Sequence, residues 1–100
     1  VGPLSAGGGG GGASVVSKSA TYTETITTGE LFIKASGTFT INLPTAVGNT
    51  AKIHVKLTGA GSVIVDPAGT ETIDGGATAT LSTVDQAITL YSDNANWMIF

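Results

Sequence analysis

One hundred residues make one small domain, with a core whose modest stability would gain from burial against partner subunits. Four lysines and seven acids, net −3, are too few and too acidic for the basic stripe that nucleic-acid binding uses. Without cysteine there is neither a disulfide framework nor a thiolate metal site, and no apolar run approaches the ~20 residues of a membrane helix.

Val1–Ala13 is low in complexity and contains six consecutive glycines, Gly7–Gly12. It reads as an extended, flexible arm (residues 1–13) ahead of a β domain (residues 14–100). A phosphate-cradling loop would need a preceding strand, a following helix and a Lys-Ser/Thr pair, none of which the sequence has here. Val1 in place of Met reads as a fragment or a processed chain.

From Ser14 to Thr28 the chain is rich in Ser and Thr. Thr21, Thr23, Thr25 and Thr27 share one parity and Tyr22, Glu24 and Ile26 the other, the signature of an edge strand or extended arm. Leu31, Ile33 and Ala35 then lie on one face, with Phe32 among Glu30 and Lys34 on the opposite one. Phe39, Ile41 and Leu43 alternate with Thr38, Thr40 and Asn42, a period of two that no helix shows, and Pro44 ends the run. Ile53, Val55 and Leu57 face inward in the next strand, with Lys52, His54 and Lys56 outward. Short apolar runs at Val63–Val65 and Ala77–Leu81 are punctuated by Asp66-Pro67-Ala68-Gly69 and Asp74-Gly75-Gly76, which favour reversals. Gln86–Tyr91 and Asn96–Phe100 close the chain around the turn residues Ser92–Asn96. The expected fold is all-β: a small sandwich or barrel-like domain of about eight short antiparallel strands behind the Gly-rich arm.

The last strand is apolar on both faces. Trp97, Met98, Ile99 and Phe100 are therefore expected partly in the core and partly at a subunit interface. Reactive constellations are sparse. His54 is the single histidine and reads as a solvated strand residue without a nucleophile assigned to it. Asp66, Glu71 and Asp74 are close enough in sequence to raise the carboxylate pair of a glycosidase, but Asp66 and Asp74 occupy turn positions that favour Asp for its backbone hydrogen bonds. Asp93-Asn94-Ala95-Asn96 offers oxygen ligands without the charge or spacing of a calcium loop. No cofactor, metal or catalytic residue is expected. Flat side chains at Tyr91, Trp97 and Tyr22, with Asp93 and Asn96 nearby, are the candidates for stacking against a sugar. Burial of Trp97 competes with that role.

The ordered series Phe39-Thr40-Ile41-Asn42-Leu43-Pro44, Gly48–Ile53, Gly61–Pro67, Glu71-Thr72-Ile73-Asp74-Gly75, Ile88–Asp93 and Asn96-Trp97 resembles a module of tailed-bacteriophage virion appendages: tail fibres, tailspikes and head fibres. The resemblance spans roughly residues 21–100 and lies in order and spacing together. It implies a structural, non-enzymatic, commonly homotrimeric module at the exposed surface of a virus particle, serving assembly or host attachment. The alternative it leaves is a glycan-binding receptor-recognition tip. The arm of residues 1–13 would tether such a module to other virion proteins. Neither nucleic acid nor membrane insertion is expected.

Overall fold

The computed structural model describes residues 13–100, which form nine strands and no helix. They are β1 (Ala13–Lys18), β2 (Tyr22–Thr23), β3 (Glu30–Ala35), β4 (Phe39–Asn42), β5 (Lys52–Leu57), β6 (Val63–Asp66), β7 (Ala79–Leu81), β8 (Ala87–Ser92) and β9 (Trp97–Ile99). The Gly-rich arm, apart from Ala13, lies outside the described residues.

The strands form two sheets, one of five in the order β1-β3-β5-β8-β9 and one of four in the order β2-β4-β6-β7. As far as β6 the chain alternates between them, so successive strands within a sheet run in the same direction. The expectation of an antiparallel fold is thereby corrected: four of the seven strand pairings are parallel. The alternation of apolar residues identifies a strand and its buried face, but not the neighbour with which it pairs.

The turn signals explain how this path is made. Ser36-Gly37 and Thr58–Gly61 are corners from one sheet to the other, and they stack: Gly37 N–H donates to Ala60 O at 3.0 Å and Thr58 N–H to Ala35 O at 2.8 Å. Gly61 has φ +143°, and a Cβ there would come within 2.1 Å of Gly37 O, so the corner admits no side chain. At the opposite end Thr50 N–H donates to Thr27 O at 2.9 Å and Leu43 N–H to Asp66 O at 2.8 Å. The last part of the chain turns back on itself: β7 adds antiparallel to β6, and the β8–β9 hairpin adds antiparallel to β5.

One core lies between the sheets. Leu31, Ile33, Ile53, Val55, Leu57, Leu90 and Trp97 come from the larger sheet and Phe39, Ile41, Val63, Val65 and Leu81 from the smaller. These are the apolar parities of the sequence. Trp97 is completely buried, donates from Nε1 to Pro44 O at 3.2 Å, and bridges to Ile73 where β9 meets the segment after β6.

Candidate binding face

The outward side of the five-stranded sheet carries the chemistry. Parallel register sets Val15 beside Phe32 and Phe32 beside His54; antiparallel register sets His54 beside Thr89. Phe100 completes this row, its N–H donating to Thr89 O at 2.9 Å. A second row runs Glu30, Lys52, Tyr91, Met98, and a third runs Ser17, Lys34, Lys56, Ala87.

His54 is the pivot. Its ring stacks on Phe32 with centroids 4.1 Å apart and planes 6° from parallel. Nε2 lies 2.6 Å from Glu30 Oε2, and Nδ1 lies 3.0 Å from Thr89 Oγ1. Three strands thus fix a half-buried imidazole. The order hydroxyl, imidazole, carboxylate matches a nucleophile, base and orienter in outline. However, β8 is flanked by β5 and β9, so its backbone N–H groups serve the ladders and do not converge on a developing oxyanion. The arrangement is best described as a polar clasp across the sheet. The solvated histidine expected from sequence is therefore half-buried and held on both nitrogens. Correct parity placed Glu30, Phe32 and His54 on the same side; only the parallel register brings them together.

Two depressions lie on either side of the clasp. One, about 570 Å³, is lined by Lys52, His54, Thr89, Tyr91 and Phe100. The other, about 370 Å³, includes Val15, Phe32, Lys34 and Lys56 in its walls and shares His54 and Thr89 with the first. Apolar surface is uncovered across the face: Val15 is 67% exposed, Tyr91 40% and Phe100 78%. Charge is also segregated. Strand residues on this side contribute three lysines (Lys34, Lys52, Lys56) and one acid (Glu30), while the molecule as a whole is net −3. Lys56 lies 4.0 Å from Asp85; Lys52 takes part in neither of the ion pairs found among the described residues.

The site residues expected from sequence are divided by the fold. Tyr91 lies on this face. Trp97 offers no face to a ligand or to a sister subunit, because its own chain covers it completely, a correction to both roles considered for it. The driving force is its large apolar area, and the buried N–H has found a carbonyl. Met98 and Ile99 are half-buried, so Phe100 is the residue of the closing stretch left largely uncovered.

Asp93 and Asn96 serve the β8–β9 turn. The Asp93 carboxylate accepts from Asn96 N–H at 2.7 Å and Ala95 N–H at 3.0 Å, which lowers its pKa below the usual carboxylate value. Asn96 Oδ1 accepts from Thr72 N–H at 2.8 Å and Asn94 Oδ1 from Gly48 N–H at 2.7 Å, so oxygens that a cation would use hold loops instead. Glu71 accepts from Thr45 Oγ1 at 2.5 Å and Ala46 N–H at 2.8 Å, and Asp74 accepts from Ile99 N–H at 3.0 Å. These two acids pin loops, and Asp66 ends β6.

The face and its frame define a class, a two-sheet β module with an exposed, positively charged aromatic side. Comparison with protein-family models, curated proteins and solved structures finds no match to this chain.

Proposed function

We propose that this chain is a non-enzymatic structural module of a bacteriophage virion, displayed at the particle surface and used for assembly or host attachment. The ordered motifs between Phe39 and Trp97 support this reading. So does the use of polar side chains: Glu71, Asp74, Asp93, Asn94 and Asn96 are spent on fixing loops, as in a rigid spacer. The observation that carries it is the exposed apolar surface of Val15, Phe32 and Phe100 in one row, which a single copy leaves in water. In the homotrimer, the Val15 and Phe32 end of the row, next to the edge strand β1, is the contact between copies. The arm of residues 1–13 joins the module to other virion proteins. Sedimentation equilibrium at micromolar concentration should give three copies; a monomer overturns the assembly reading.

A second reading, a glycan-binding tip, is favoured by one feature. Tyr91 and Phe100 stand exposed beside an open depression with polar groups on its floor. Trp97, Asp93 and Asn96 take no part in it.

A further inference from the structure

We infer that the depression between Lys52, Tyr91 and Phe100 binds a carboxylated pyranose, a uronic or sialic acid unit of an acidic surface glycan. This rests on the glycan-binding reading and adds to it the charge of the ligand and the place where it sits.

Three observations select the ligand. The depression is open to solvent, whereas sites for small apolar molecules enclose most of the ligand. Exposed rings at Tyr91 and Phe100 provide flat apolar surface for the C–H face of a sugar ring, with the hydroxyls left free to bond. The Lys52 ammonium lines the same depression outside any ion pair among the described residues, on the side of the molecule where lysines outnumber acids. A carboxylate would satisfy it with a charge-assisted hydrogen bond. Glu30 neighbours Lys52 in register but forms no ion pair with it; its Oε2 lies 2.6 Å from His54 Nε2 instead. Thr89 Oγ1 lines the depression and, beside its bond to His54 Nδ1, can accept from a sugar hydroxyl. An acidic peptide would match the lysines but not the flat rings.

The test is calorimetric titration of the whole chain with three probes: oligogalacturonate, its methyl ester, and polyglutamate of equal charge. Oligogalacturonate should bind, and binding should weaken as salt is raised. The methyl ester keeps the rings and loses the charge; it should bind about tenfold more weakly or not at all. Polyglutamate keeps the charge and loses the rings, and should not bind. Lys52→Met and Phe100→Ala should each weaken oligogalacturonate binding about tenfold, with unchanged thermal unfolding, since both side chains are exposed. Equal binding of the ester, equal binding of polyglutamate, unchanged affinity in both variants, or no binding of oligogalacturonate would each overturn the inference. Binding of a neutral glycan alone would leave the glycan reading standing and remove the acidic ligand. Sedimentation of the same samples separates the outcomes further: a trimer without binding refutes this site alone, and a monomer that binds refutes the assembly reading alone.

Discussion

At the scale of single residues, two aromatic side chains report on opposite environments. Trp97 is fully enclosed, so Trp97→Ala should cost about 3–5 kcal/mol in urea unfolding through lost transfer energy and the cavity left behind. Its fluorescence should resist iodide quenching in the native state. Tyr22 is half-buried beneath the Lys18 ammonium, 4.3 Å from the ring centroid, and donates its hydroxyl to Glu24 Oε1 at 3.1 Å. Burial first, then the charge of Glu24 and the hydrogen bond to it, raise the Tyr22 pKa well beyond the ordinary tyrosine range. An unfolded tyrosine ionises near pH ~10. The stability linked to a protonated Tyr22 is therefore complete below that pH and declines above it. Tyr22→Phe should flatten the alkaline limb of a stability profile measured by urea unfolding from about pH 9 to 11.

At the scale of elements, the β8–β9 turn offers the complementary acid test. Asp93 accepts from Asn96 and Ala95 backbone N–H groups, so its folded pKa is depressed. Its contribution is present above the unfolded aspartate pKa of about 4 and is lost as pH falls through the depressed folded value. Asp93→Asn should remove that part of the acid limb, seen as a smaller fall in unfolding temperature between about pH 5 and pH 2. Most strands were legible in the sequence for a simple reason: Phe39-Thr40-Ile41 and Ile53-His54-Val55 alternate cleanly, and the buried residues are those of the apolar parity. Pairing was not legible. Ser36-Gly37 looks the same whether it reverses a hairpin or carries the chain to the facing sheet, and only the stacking of Gly37 on Ala60 decides between them. The clasp at His54 was hidden for the same reason. Its carboxylate lies on β3, its hydroxyl on β8, and no spacing in the sequence joins them. The sequence marks Phe100 as apolar, but its position beside Thr89 follows from the final hairpin.

At the scale of the whole molecule, the proposed division of the charged face makes assembly separable from ligand binding. Val15 is largely exposed on the edge strand β1, so Val15→Lys should leave the fold intact while setting like charges against each other between copies. The expected outcome is a monomer by sedimentation with unchanged unfolding; a Val15→Lys protein that still forms three copies would relocate the contact. The alternation of the chain between the two sheets has a further consequence for design. Because each coil rests on the one before it through matching bends, another coil of comparable length inserted between β3 and β5 would lengthen the body by one step of about 4.8 Å and leave the terminal hairpin unaltered. Reach from an anchoring surface thus becomes a graded quantity, set by how many coils are wound.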